Sequence, residues 1–211
     1  MATPSSATPM LPLPTLQGER CLLRRLEPSD AVALQRHADD TAVTHNLFEG
    51  FPSPYTMAAA EAWCGHEANS GRFGYVWAIV VDGVLIGCTG LVPHTGAGNR
   101  CNAETGYWIG RAYWRRGIAS DALAQVVDWG FAALPQLTRI YAPIYARNEG
   151  SQAVARKCGF VREGVQKQAI IKDGEVIDLA IWATYRTEIA RRDADIGAAL
   201  AATAATAMER A

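Results

Sequence analysis

Apolar and polar positions alternate with a period of two in several short stretches and with a period near 3.6 in others, so strands and helices can be assigned along the chain. Residues 20–26 (RCLLRRL) form a short strand, and Ser29 stands as the N-cap of a helix that keeps Ala31, Leu34 and Ala38 on one side. The stretch 46–55 (NLFEGFPSPY) breaks regularity yet carries Phe48, Phe51 and Tyr55, an apolar content unusual for a connector. Thr56 caps a second helix through about Asn69. Two β-rich runs, FGYVWAIVV and VLIGCTGLV, flank Asp82-Gly83, which predicts a hairpin closed by a type I′ turn. Residues 101–110 return to strand character, with Tyr107 and Ile109 on one face and Glu104 and Trp108 on the other. A helix over 117–133 buries Ile118, Ala122, Leu123, Val126, Val127 and Phe131 along one stripe. A strand over 138–146, a helix capped by Asn148 and ending at Gly159, and a second hairpin around Asp173-Gly174 complete the pattern.

Composition limits what these elements can build. With 211 residues, 49% hydrophobic and 19% charged, one globular domain over 18–190 is expected. Residues 1–17, rich in Pro, Ser, Thr and Ala, read as a flexible N-terminal arm, and the Ala-rich tail 191–211 reads as a terminal helix or a loose end. A formal net charge of −1 with interspersed signs argues against nucleic acid or membrane partners. The cysteines Cys21, Cys64, Cys88, Cys101 and Cys158 are odd in number and scattered, which argues against a disulfide framework or a zinc site and for a reducing compartment. No secretory signal or membrane-spanning run is evident, so a cytoplasmic protein is expected. His37, His45, His66 and His94 lack metal-ligand spacing and read as ordinary loop or helix histidines, so no metal is expected.

Candidate chemistry gathers where strand hands over to helix, at WRRGIAS. The first-turn N–H groups there point outward with the positive end of the helix dipole, Gly117 and Ala119 leave the main chain accessible, and Arg115 and Arg116 add charge. Such a turn suits a pyrophosphate, although a solvated basic helix start whose glycine only makes the turn is an equally good reading of these residues. The next strand carries Pro143 in its middle, where an N–H is needed for pairing. Either that strand is an edge or it diverges from strand 101–110; a β-α-β crossover, which places the two side by side, favours divergence. The gap could admit an extended ligand hydrogen-bonded to Trp108, Ile109 and Gly110.

These residues carry a resemblance. WRRGIAS resembles the acetyl-CoA pyrophosphate loop of the GNAT acetyltransferases, Q/R-x-x-G-x-G/A, filled here as Trp114-x-x-Gly117-x-Ala119. Asn148-x-x-Ser151 followed by RKCGF (156–160) is similar to the superfamily's downstream helix, and AETGYWIG with LRRLEPSDA (23–31) narrows the likeness to the Rim-type N-terminal acetyltransferases of ribosomal proteins. The likeness spans roughly 18–190. It implies an α+β fold: a mixed, mostly antiparallel sheet of six or seven strands with a splayed central parallel pair and helices on both faces. It also implies acetyl-CoA as cosubstrate without a metal, splayed strands gripping the pantetheine arm, Gly117, Ile118, Ala119 and Ser120 holding the pyrophosphate, and direct attack by an amine. Two departures stand out. Trp114 replaces the commoner Gln or Arg, and Ala155 occupies the position where many members carry a tyrosine that protonates the leaving thiolate.

Within that frame Glu104 is the candidate general base, acting directly or through water, against a plainer reading as a surface carboxylate. Ser151 can hydrogen-bond the thiolate in place of the missing tyrosine, or simply bond its own helix backbone. Asn148 is a cofactor-side candidate or solely a cap. A chain α-amine, with pKa ~7.7–8.0, is easier to deprotonate than lysine at ~10.4, a gap of roughly 3–4 kcal/mol, and so suits a weak base such as Glu104. A protein N-terminus is therefore the expected acceptor; the alternatives are a small-molecule amine such as an antibiotic or polyamine, or a non-catalytic acyl-CoA-binding module, for which Ala155 argues. The loop 46–55 and the Asp173 hairpin are expected to border the acceptor, and a homodimer is left open.

Overall fold

The computed structural model describes residues 11–187. Its frame is one eight-stranded sheet built from β1 (Leu16–Gln17), β2 (Leu22–Arg24), β3 (Tyr75–Val81), β4 (Val84–Pro93), β5 (Asn102–Ile109), β6 (Arg139–Tyr145), β7 (Val161–Lys172) and β8 (Glu175–Tyr185). The spatial order is β1-β2-β3-β4-β5-β6-β8-β7, and every neighbouring pair is antiparallel except β5 and β6. Parallel neighbours need a crossover, and α4 (Ile118–Ala133) supplies it. Both hairpins form as expected: Asp82 and Gly83 take φ of 51° and 79°, Asp173 and Gly174 take 52° and 81°, the left-handed values a type I′ turn requires.

The eighth strand is β1, within the stretch expected to be a flexible arm. Leu16 and Gln17 pair with Leu23 and Leu22, the Leu11 N–H donates to Tyr75 Oη at 3.1 Å, and Pro14 O accepts from the indole N–H of Trp77 at 2.9 Å. The physical reason is tertiary. Trp77 is fully buried, its N–H needs an acceptor, and segment 11–17 provides one while its Leu13 and Leu16 pack against the same core. Residues 1–10 and 188–211, including the Ala-rich tail, lie outside the described residues.

The first helix also differs from expectation. Ser29 is not its cap: residues Pro28–Asp30 make a 3-10 turn ahead of α1 (Ala31–Ala38). Asp30 dominates there, because its buried carboxylate takes two 2.8 Å hydrogen bonds from the Arg24 guanidinium and a third from the Glu27 N–H at 2.9 Å. A short α2 (Thr41–Thr44) follows, and Thr56 caps α3 (Met57–Gly65) by accepting from Ala59 N at 3.2 Å; a 3-10 turn carries the segment on to Asn69.

Helices cover both faces, as the strand alternation demands. On one face Leu23, Trp77, Ile79, Leu91, Ala103 and Ile109 meet α4 and α5 (Glu149–Lys157). On the other, Val76, Ala78, Val80, Leu85 and Cys88 meet α1 and α3. Cys21, Cys64, Cys88, Cys101 and Cys158 form no disulfide.

Candidate active site

The parallel pair opens into a cleft. Register between β5 and β6 runs Asn102↔Arg139, Ala103↔Ile140 and Glu104↔Tyr141 and stops there, although the strands continue to Ile109 and Tyr145. Ala146 N–H donates to Asp178 O at 2.9 Å and Arg186 N–H to Thr138 O at 3.1 Å, so the even-numbered residues of β6 turn their main chain to β8 and Pro143 turns toward β5. The missing proline N–H therefore falls in the gap, where no strand needs it.

The same alternation sorts the residues of β5. Gly110 N–H donates to Ile86 O at 2.8 Å, and His94 N–H to Asn102 O at 3.0 Å, so even-numbered positions face β4. The Trp108 carbonyl is so close to β4 that a Cβ on Gly87 would lie 2.1 Å from it. Of the three residues expected to offer main-chain hydrogen bonds to a ligand, only Ile109 faces the cleft; Trp108 and Gly110 are committed to β4, and Tyr107 takes their place. Trp108 instead sends its ring to the α1 face, edge-on to Phe51 at 6.0 Å. Trp114, the departure from Gln or Arg, donates its indole N–H to Ile109 O at 2.8 Å and so closes the turn back onto β5.

At that turn Arg115 and Gly117 take φ of 60° and 77°, and α4 starts at Ile118 with no side-chain cap on its first N–H groups. Those donors have no intrahelical acceptors, so the N–H groups of Ile118, Ala119 and Ser120 are left for an acceptor from outside the helix. Arg20 stands against it: a Cβ on Gly117 would be 3.1 Å from Arg20 Nε. Asp121, in the first turn of α4, fixes that approach by accepting from the N–H groups of Glu19, Arg20 and Cys21 at 3.2, 3.0 and 3.1 Å. Arg20, Gly117, Ser120 and Lys157 line one opening here of about 300 Å³. Arg115 is exposed, and Arg116 rests on the Tyr113 ring at 5.3 Å. Arg20 and Lys157 were not legible from the sequence, because nothing local places them beside residue 117.

Side chains gather at both ends of the parting strands. Glu104, at the last register pair, accepts from Tyr141 Oη at 3.0 Å, and the same oxygen lies 3.0 Å from His94 Nε2. Burial first, and then the facing Glu104 carboxylate, push the Tyr141 phenol up to about 12. On the α4 side the Tyr107 hydroxyl lies 3.0 Å from Ser151 Oγ, and Asn148 acts as a cap, its Oδ1 accepting from Ser151 N at 3.1 Å. Burial pushes the Tyr107 phenol up to about 12. Ala155 is buried one turn further along α5. Tyr107, Tyr141 and His94 stand beside the candidate residues Ser151 and Glu104, and sequence reasoning passed over them, since strand tyrosines and a loop histidine carry no signal of their own.

The two segments expected to border the acceptor are tied to each other. Glu49 accepts from Asp173 N at 3.1 Å and pairs with Lys172 at 3.6 Å, while Tyr145 Oη donates to Leu47 O at 3.0 Å. No group of three or more His, Cys, Asp or Glu residues among the described residues could hold a metal ion, and none of the described helices is long and apolar enough to cross a membrane.

A family model described as an acetyltransferase (GNAT) domain matches residues 20–161. The chain is a GNAT acetyltransferase. Its cleft fits the cosubstrate: the uncapped α4 terminus and the small cradle at Gly117 suit a pyrophosphate, and the unpaired stretch of β5 suits an extended amide-bearing arm. The chain is 31% identical over 177 residues to the uncharacterized N-acetyltransferase YoaA of Bacillus subtilis, covering 82% of this chain and 97% of that one. Among solved structures it is similar to RimJ of Mycobacterium smegmatis in complex with CoA-disulfide, at TM-score 0.72 and 28% identity, over 83% of this chain and 88% of that one. A GNAT-family acetyltransferase from Bacillus anthracis matches at TM-score 0.72 and 25% identity, over 82% and 99%. The GNAT fold is thus realised with eight strands against the six or seven expected, β1 being a strand that the sequence did not predict.

Proposed function

We propose that this acetyltransferase moves the acetyl group of acetyl-CoA onto a primary amine by direct attack, and that the amine is the α-amino group of a protein N-terminus. One observation carries the reading: the parallel strands part immediately after the pair Glu104↔Tyr141, so Glu104 is the last paired residue of β5 on that side and stands next to the opening.

When bound, acetyl-CoA supplies an activated acyl carbonyl. The chain's own residues do the rest. The N–H groups of Ile118, Ala119 and Ser120, with Arg20 beside them, hold the pyrophosphate. Main-chain groups of Tyr107 and Ile109 orient the pantetheine arm. Glu104 receives the proton of the incoming amine, and an α-amine at pKa ~7.7–8.0 suits a carboxylate base better than lysine at ~10.4. Ser151 faces the departing sulfur with its hydroxyl, in the role that Ala155 cannot fill. The loop 46–55 and the β7–β8 hairpin, joined through Glu49, frame the acceptor side. Five scattered cysteines, odd in number, suit a reducing compartment such as the cytoplasm.

Calorimetry with CoA tests the cleft, and no heat of binding at millimolar CoA would sink the reading. Release of CoA from acetyl-CoA in the presence of peptides tests the acceptor. A free N-terminus is expected to support turnover, and the same peptide with a blocked N-terminus and an internal lysine is not.

A further inference from the structure

A chain of polar contacts runs from the surface loop 94–100 into the cleft. Asn99 Nδ2 lies 2.9 Å from His94 Nδ1, His94 Nε2 lies 3.0 Å from Tyr141 Oη, and Tyr141 Oη donates to Glu104 Oε2 at 3.0 Å. The direction of each bond follows from the last. Glu104 as a carboxylate can only accept, so Tyr141 spends its one proton there and its oxygen must accept from His94. His94 Nε2 then carries the hydrogen, which leaves Nδ1 as an acceptor for the Asn99 amide. Every donor in the series points toward Glu104, and such aligned bonds polarise one another.

The series is built rather than incidental. Asn99 is held in a turn, its N–H on Gly96 O at 3.0 Å and its carbonyl accepting from Asn102 N at 2.9 Å. A Cβ at Gly96 would fall 2.8 Å from Asn99 Oδ1, so glycine is what lets that side chain fold inward. The Tyr141 ring is held edge-on to His94 at 5.7 Å and under the Arg139 guanidinium at 4.6 Å.

Other charges around the series largely cancel. Arg139 is bound by the Glu163 carboxylate and by Asn102 Oδ1 at 2.9 Å, and Tyr185 Oη donates to Glu163 at 2.6 Å. From β4, the register partner of Glu104 is the apolar Val92. Tyr141, backed by His94, is thus the direct polar partner of the carboxylate.

We propose that His94 is a positioning residue for acetyl transfer, acting through Tyr141 to hold the Glu104 carboxylate aimed at the incoming amine. The inference rests on Glu104 as the base in the reading above. Its chemistry is simple: the amine proton passes to Glu104 as the new C–N bond forms, the C–S bond breaks with its electron pair leaving on sulfur as the CoA thiolate, and Tyr141 keeps its own proton throughout.

The test reads rate against binding. Tyr141→Phe, which removes the hydroxyl that faces Glu104, is expected to lower kcat about tenfold, the loss of one orienting hydrogen bond, with KM for acetyl-CoA and CoA affinity unchanged. His94→Ala should lower kcat by less, His94→Gln, which keeps a donor toward Tyr141, should restore most of the wild-type rate, and Tyr141→Phe combined with His94→Ala should match Tyr141→Phe alone. A kcat unmoved by both Tyr141→Phe and His94→Ala, or losses that add in full in the double variant, overturns the relay. Failure of acetyl transfer as such is read separately, in the CoA calorimetry and in Glu104→Gln, whose turnover at the wild-type rate would remove Glu104 as the base.

Discussion

The hydroxyl of Tyr107 lies 3.0 Å from Ser151 Oγ, which joins the strand that borders the cleft to the first turn of α5 at a single point. The phenol, pushed up to about 12 by burial, stays protonated at neutral pH and is the stronger donor of the two. Either hydroxyl can donate in this pair; donation from Tyr107 would leave the serine proton free to face the cleft. A strand tyrosine thus contacts the hydroxyl proposed to stand in for the acid missing at Ala155.

Ser151→Ala is expected to lower kcat/KM by about a hundredfold, the lower range for loss of a positioned acid or donor. Tyr107→Phe should cost about tenfold, the equivalent of about 1.4 kcal/mol for one orienting hydrogen bond. Because both act on one proton, the double variant should be little worse than Ser151→Ala. Steady-state kinetics of the three variants decides it, and fully additive losses would separate the two residues.

Gly117 holds φ of 77°, and a Cβ there would meet Arg20 Nε at 3.1 Å and Cδ at 3.2 Å. Gly117→Ala is therefore expected to cost about 1–2 kcal/mol of stability, from left-handed strain alone. It should also weaken CoA binding about tenfold by shifting the α4 terminus and Arg20. Thermal melts and CoA calorimetry measure the two effects, and unchanged CoA affinity would remove this turn from the site.

Asp121 gathers three main-chain donors from residues 19–21. Asp121→Ala leaves those N–H groups without their acceptor and is expected to destabilise the protein by about 2–4 kcal/mol, since hydrogen bonds to a charged group are among the costlier ones to lose. Asp121→Asn, which keeps one acceptor oxygen, should fall in between. Urea unfolding of the two variants gives the order.

The Arg139 guanidinium, with Tyr185 behind it, holds the Glu163 carboxyl below the usual glutamate range. A carboxyl depressed on folding contributes stability that is complete above its unfolded value, about 4.3, and is lost as pH falls through its lower folded value. With the two side chains 25% and 30% exposed, that contribution is about 0.5–1 kcal/mol. The urea midpoint of Glu163→Gln should therefore lie below wild type at pH 7 and converge on it as the pH drops below about 4. A gap that persists at pH 3 would assign the effect to packing instead.

Local chemistry made much of this protein readable from its residues alone. The two Asp-Gly turns, the Thr56 and Asn148 caps and the crossover helix depend on neighbours in the chain, and all appear where expected. Pro143 announced the cleft, because a missing N–H is a fact of sequence and a parallel pair had to part around it. The glycine turn named the family for the same reason: a phosphate site built from main chain needs small residues at fixed spacing.

What tertiary structure alone decided concerns groups that meet across the sheet. Residues 11–17 became part of the fold because a buried Trp77 needed an acceptor, and Ser29 lost its cap to a carboxylate claimed by Arg24. Which β5 residues face the cleft followed from pairing with β4, which no pattern of side chains reveals. Tyr107 with Ser151, and Tyr141 with both His94 and Glu104, lie 37 to 47 residues apart in sequence and 3.0 Å apart in space. Periodicity tells which face a residue takes, whereas the partner it finds there is set by strand register and by where two strands stop pairing.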